Sequence, residues 1–232
     1  MKLLAFDTST EFLSIALLVD GKVTSHFQNA GQAASQLILP QIQALLESAK
    51  VKLNELDGIA FGAGPGAFTG VRVACGVAQG LGFGANVPVV GINTLHALAQ
   101  ASGSERAIVC TDARMGEVYF AALEKVGEAW NEVSATQVCK PEAAPILAPR
   151  ALDLSAWVGA GSGWKVYDEA LSSRNKVVEK LPEITPTAEA ILQLAMPIFS
   201  AGEAKLASEA RPIYIRNRVA LTSVEREQGQ RL

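Results

Sequence analysis

The chain has 232 residues, 49% of them hydrophobic and 19% charged, with a formal net charge of -3. That length holds one large domain or two modest ones, and that hydrophobic fraction excludes a disordered chain. A chain that grips nucleic acid by itself carries a basic surplus, so this charge balance argues against direct DNA or RNA binding and leaves open a contribution within a complex.

Residues 2–6, KLLAF, predict a buried strand, Asp7-Thr8-Ser9-Thr10 a polar turn, and Leu13 to Val19 a second strand. Asp20-Gly21 is a hairpin signal, and a third strand follows at 22–28. Ser35 is the candidate cap of a helix ending at Ala49, with Leu37, Ile38, Ile42, Leu45, Leu46 and Ala49 on its apolar face. Pro40 moves the expected start beyond Ser35. Next come a strand at 58–62, a Gly/Pro loop, a helix from Thr69 to Ala85, a strand at 88–92, and a helix capped by Asn93 or Thr94 through Ala101. This first part reads β-β-β-α-β-α-β-α.

After Gly103 the pattern restarts: a strand at Ala107 to Thr111, a turn at 112–116, and an alternating strand at Glu117 to Leu123. Residues 141–157 contain three prolines and yield no clear element. Residues 158–164, VGAGSGW, predict a strand end and a glycine turn. Thr187 caps a helix to Ala201 with Ile191, Leu194, Ala195 and Ile198 on one face, and the tail from Glu225 to Leu232 is polar and expected to be loose. The strand-turn-strand opening occurs at Asp7 and again at Asp112, a hint of two related halves at 1–103 and 104–232.

The segment from Gly62 to Gly84 stands out. No Asp, Glu, Lys or Arg follows Arg72 until Glu105. Asn86 and Pro88 interrupt the stretch, so it is not a membrane span, and the N-terminal apolar run is too short for a signal peptide. Gly70, Ala74, Ala78 and Gly82 form one small-residue stripe, and Gly76, Gly80 and Gly84 form another. At 100° per residue the stripes lie roughly 200° apart. Each helical glycine costs about 1 kcal/mol relative to Ala, so close packing must offset them. One side is expected on the domain's own sheet; the other needs a neighbouring helix or a partner chain.

The chain carries no obvious catalytic machinery. Gly62-Ala63-Gly64-Pro65-Gly66 lacks the Lys that ends a P-loop, and Pro65 removes an amide donor. Asp7-Thr8-Ser9-Thr10 fits either a phosphate turn or an Asx turn, and Gly159-Ala160-Gly161-Ser162-Gly163 allows close approach of a flat ring. His26 and His96 have no second ligand at metal spacing, and Cys75, Cys110 and Cys139 read as reduced thiols. Asp112, Arg114 and Glu117 form either an acid/base group or a turn salt bridge, the latter favoured. Arg211, Arg216 and Arg218 read as a solvated face rather than a tRNA contact.

GPGAFTGVR at 64–72, DARMGEVY at 112–119 and PIYIR at 212–216 together resemble the TsaB (YeaZ) family. LLAFDTST at 3–10, QLILP at 36–40 and GAGSGW at 159–164 lie in the matching order, so the resemblance covers residues 1–218. It implies the actin/Hsp70/sugar-kinase (ribonuclease H-like) fold, an α/β architecture of two related lobes, each a five-stranded mixed sheet with flanking helices. It also implies a bacterial cytoplasmic, non-catalytic partner of a TsaD transferase. With the TsaE ATPase, TsaD installs N6-threonylcarbamoyl on adenosine 37 of tRNAs reading codons that begin with A. The implied partners are TsaD, TsaE and, for the chain alone, a second copy, with tRNA met only through the complex and no membrane.

On that resemblance the partner interface is expected at Pro65, Phe68, Thr69, Gly70, Arg72, Val73, Ala74, Val77, Ala78 and Leu81. A vestigial nucleotide cleft is expected at Asp7, Thr8, Ser9, Asp112, Gly161 and Gly163, with no metal, no tightly bound cofactor, and ATP or ADP held only weakly or at a complex interface. The chain departs from the family at Ala34, where many relatives carry His, and at Ala67, where the loop serine stands. The alternative is a stand-alone enzyme, a nucleotide phosphotransferase or a glycoprotease-like peptidase, with Asp7 and Asp112 flanking its cleft.

Overall fold

The computed structural model describes residues 1–147 and 157–216. The apolar run after Lys2 becomes β1 (Lys2–Asp7), whose residues from Leu3 onward are all buried. It lies at the centre of a sheet, with β2 (Phe12–Val19) and β3 (Lys22–Asn29) antiparallel on one side and β4 (Gly58–Gly64) and β5 (Val89–Asn93) parallel on the other. A strand covered on both faces reads as a continuous hydrophobic run, which is why 2–6 was legible without alternation.

Helices α1 (Ala34–Ala49) and α2 (Phe68–Ala85) cover one face, where Leu4, Phe6, Ile15, Ile38, Ile42, Phe61, Ala74 and Ala78 form one cluster. Helix α3 (Thr94–Ala101) packs with the other face, and its cap is the Asn93 side chain accepting from Leu95 N. The start of α1 differs from expectation: it begins at Ala34 without a side-chain cap, and both Ser35 and Pro40 lie inside it. Pro40 is exposed, and the carbonyl it leaves unbonded belongs to exposed Gln36, at a position open to solvent.

The second sheet repeats the plan. β6 (Arg106–Asp112), β7 (Val118–Val126) and β8 (Ala129–Cys139) are antiparallel, and β9 (Val158–Ala160) and β10 (Glu179–Leu181) continue parallel from β6. The orders β3-β2-β1-β4-β5 and β8-β7-β6-β9-β10 are equivalent, so the weak duplication signal corresponds to two sheets of one topology. The eleven-residue β8 was not anticipated from sequence, because most of its residues are exposed or half-buried and it carries no apolar alternation. Short helices α4 (Gly163–Val166) and α5 (Asp168–Arg174) follow β9.

Chain order and packing part company after residue 185. Helix α6 (Ala188–Ser200), capped by the Thr187 side chain, packs its Ile191, Leu192 and Ala195 against Leu3, Ala5, Ala16 and Ala60 of the first sheet. Ser14 Oγ accepts from Ala188 N at 2.8 Å, and a Cβ on Gly58 would sit 2.0 Å from the Phe199 ring. The second face of the first sheet is apolar and α3 is too short to cover it, so a helix from the far end of the chain does. Beyond α6 the chain pairs Lys205 with Val89, donates Ile213 N to Ala63 O, and reaches the second lobe through Arg216.

Candidate functional site

Helix α2 starts where Gly66 closes on the first turn: a Cβ there would lie 2.6 Å from Ser9 O. It ends at Asn86 in a left-handed cap whose N–H reaches Gly82 O. One stripe is moulded to the protomer. A Cβ on Gly70 would sit 1.8 Å from Thr8 O, and one on Gly82 would sit 2.8 Å from Val89 Cγ1. Ala74 and Ala78 are fully buried.

The other stripe faces open space. Nothing lies within 4 Å of a Cβ built on Gly76, Gly80 or Gly84. Phe83 beside them is 81% exposed, and Val73, Val77 and Leu81 flank the stripe half-buried. Gly76, Gly80, Phe83 and Ala207 border a shallow groove of about 360 Å3. Arg72 is the one charged residue of the helix; its guanidinium lies 3.2 Å from the Phe68 ring centre and 4.8 Å from that of Tyr214.

The residues of the expected interface fall on both sides of α2. Pro65, Ala74 and Ala78 are buried inside the protomer, and Gly70 is half-buried against Thr8 O. Phe68, Thr69, Arg72, Val73, Val77 and Leu81 do reach the surface. Gly76, Gly80, Phe83, Gly84 and Tyr214 share that surface and lie outside the expected set. The stripe spacing already separated the two sides; which one met the sheet depended on where Thr8 and Val89 sit in space.

The residues expected at a nucleotide cleft do not all face one space. Asp7 Oδ1 accepts from Ser9 N at 3.0 Å and Ser9 Oγ at 2.8 Å, while Oδ2 is buried without a partner against Gly62. Burial pushes the Asp7 carboxyl up to about 6, and the Ser9 hydrogen bonds only partly oppose it. Thr8 Oγ1 donates to Gly70 O at 2.7 Å. Gly161 has φ +100°, and Cβ atoms on Gly161 and Gly163 would each lie 2.6 Å from Cys110 atoms, so these glycines serve packing rather than a flat ring. Ser9 and Asp112 do share a cavity of about 860 Å3 between the lobes, but Asp7, Thr8, Gly161 and Gly163 lie behind its wall.

Asp112 is held by its own turn, accepting from Arg114 N at 2.9 Å, Arg114 Nη1 at 3.3 Å and Tyr167 OH at 3.3 Å. Glu117 belongs instead with Arg216, which also donates to Ala113 O, so Arg216 ties the C-terminal segment to the second lobe. Arg211 donates to Ser208 O and Ala210 O, and Arg218 and the 225–232 tail lie outside the described residues. Ala34 is buried at the start of α1. Among the described residues no group of three or more His, Cys, Asp or Glu could hold a metal, and no helix is long and apolar enough to cross a membrane.

Known proteins resemble the chain over nearly its whole length. The family model described as "TsaD: tRNA N6-adenosine threonylcarbamoyltransferase" matches residues 26–221. A tRNA threonylcarbamoyladenosine biosynthesis protein TsaB of Escherichia coli (strain K12) is 38% identical over 95% of this chain and 96% of its own. A protein of the same name from Haemophilus influenzae is 40% identical over 94% of this chain and 95% of its own. Among solved structures, YeaZ from Pseudomonas aeruginosa superposes with a TM-score of 0.85 at 39% identity, covering 92% of this chain and 99% of that one.

Proposed function

The chain belongs to the TsaB (YeaZ) family of tRNA threonylcarbamoyladenosine biosynthesis proteins, and on that footing we propose that it is the non-catalytic partner subunit of a threonylcarbamoyl-transferring complex. The observation that carries this reading is the outer face of α2. Gly76, Gly80 and Gly84 leave open space beside an 81%-exposed Phe83, and Arg72 is the helix's one charge. Exposed helical glycines destabilise a free helix and allow close approach of another. The proposed occupant is the equivalent helix of a TsaD-like transferase subunit or, when the chain is alone, of a second copy. A TsaE-like ATPase docks on the resulting assembly, tRNA is met only through it, and the complex works in the cytoplasm.

Light scattering after size-exclusion chromatography tests this with the full chain and a cognate TsaD-like protein. Wild type is expected to form a heterodimer. Gly80→Glu is expected to fold normally and stay apart, because it places a charge where two helices must meet. A Gly80→Glu protein that still forms the heterodimer would overturn the interface. The stand-alone enzyme reading has less support: Thr8, Gly161 and Gly163 are committed to packing, and Asp112 to its own turn. Tight binding of Mg-ATP by the isolated chain in calorimetry would revive it.

A further inference from the structure

A partner that covers the outer face of α2 covers its one charge as well. Arg72 heads the row of that face: Gly76, Gly80 and Gly84 follow it at successive steps of four, which places all four positions on one side of the helix. The guanidinium is held in place. The Phe68 ring centre lies 3.2 Å from it and that of Tyr214 4.8 Å, and Nη1 donates to Phe68 O at 3.0 Å. Both rings are themselves more than half exposed. Phe68, Arg72 and Tyr214 thus form a fixed cationic plateau at one end of the glycine row.

No anion of the protomer answers this cation. Among the described residues no carboxylate pairs with Arg72. Helix α2 has no acidic residue in its first turn, and the chain has no Asp or Glu between Asp57 and Glu105. While α2 faces water this costs little, because solvent and the two rings stabilise the charge. Beneath a docked helix the solvent is lost. A guanidinium buried without an anion is strongly destabilising, and its planar fork of donors suits a carboxylate. The equivalent helix of a second copy brings only another Arg72 and no acid.

We propose that Arg72 selects between the two occupants of this face: the TsaD-like subunit docks a carboxylate of its own on the Phe68–Arg72–Tyr214 plateau, and the equivalent helix of a second copy has none to offer there. The proposal rests on the partner-subunit reading and adds to it the chemistry of the partner at one end of the interface. The glycine row accepts either helix, and Arg72 sets the preference for the heterodimer.

Calorimetric titration of the full chain with a cognate TsaD-like protein, at low and high salt, tests this alongside sedimentation equilibrium for self-association. Wild type is expected to bind the TsaD-like protein more tightly than it binds itself, and to lose affinity for it as salt rises. Arg72→Met keeps an apolar stem and removes the charge at an exposed position, so the fold is retained. Its affinity for the TsaD-like protein should fall about thirtyfold or more, because the partner's carboxylate is left buried and unpaired, and its salt dependence should flatten. Self-association should not weaken. An unaltered heterodimer affinity in Arg72→Met, a salt dependence as steep as that of wild type, or an equal loss of self-association would each overturn the proposal. Gly80→Glu separates this failure from failure of the interface itself. If Gly80→Glu stays apart while Arg72→Met binds as wild type does, the carboxylate alone is wrong; if both bind as wild type does, the α2 interface falls with it.

Discussion

The two sides of α2 are built from the same residues and meet opposite fates. Gly70, Ala74, Ala78 and Gly82 press against the Thr8 carbonyl and Val89, whereas Gly76, Gly80 and Gly84 touch nothing within 4 Å. On the inner side a missing side chain is a steric requirement of the protomer. On the outer side it costs stability and is useful only to something that arrives later. A small residue in a helix thus carries no meaning until its neighbours are known.

The largest effect expected from this contrast belongs to the inner side. Ala78→Glu buries an unpaired charge at a fully buried position and should destabilise the protomer by about 4 kcal/mol or more. Urea unfolding checks this; a normal midpoint would mean that α2 can rotate its inner stripe outward.

Next comes Asp7, whose carboxyl lies on the other face of the first sheet, against Gly62 and beside Thr94 of α3. Its carboxyl sits near 6 in the folded chain against a usual value of 3.8. The folded state therefore holds this proton more tightly. The contribution to stability is fully present below pH 3.8 and is lost as pH rises through 6, in total about 3 kcal/mol. Wild type should lose stability relative to Asp7→Asn between pH 4 and 7; a difference that stays flat would show that Asp7 does not titrate there.

On the outer side the matching change spares the fold. Gly80→Glu should leave the unfolding midpoint equal or slightly raised while weakening association with the TsaD-like subunit by roughly a hundredfold or more. Equal loss of folding and binding would erase the distinction between the two sides.

The finest comparison uses alanine alone. Gly70→Ala sets a methyl 1.8 Å from a backbone oxygen and should cost about 1–3 kcal/mol. Gly80→Ala meets open space and should stabilise the isolated chain by roughly 0.5–1 kcal/mol. Denaturation of both variants reads the sign directly, and a shared sign would contradict the assignment of the stripes.

Much of the fold was legible from local chemistry. The run Leu3–Phe6, the Asp20-Gly21 turn, the Asn93 and Thr187 caps and the repeated opening at Asp7 and Asp112 all rest on signals within a few residues. Strand β8 was not, because an exposed strand need not alternate. Pro40 misled because its cost depends on whether water reaches the freed carbonyl. The site was half legible: the charge-free helix with two small stripes was plain, but the alanines assigned to the interface proved to be core.

Sequence by itself determined which residues form α2, that its two stripes oppose each other, and that no charge follows Arg72 on it. Those properties depend only on helical periodicity and composition. Tertiary structure alone decided which stripe meets the sheet, that α6 crosses back to the first lobe, that Gly161 and Gly163 pack on Cys110, and that Ser9 and Asp112 line one interlobe cavity. Each of these is a contact between residues far apart in the chain, set by how apolar faces are covered, and no local pattern encodes it.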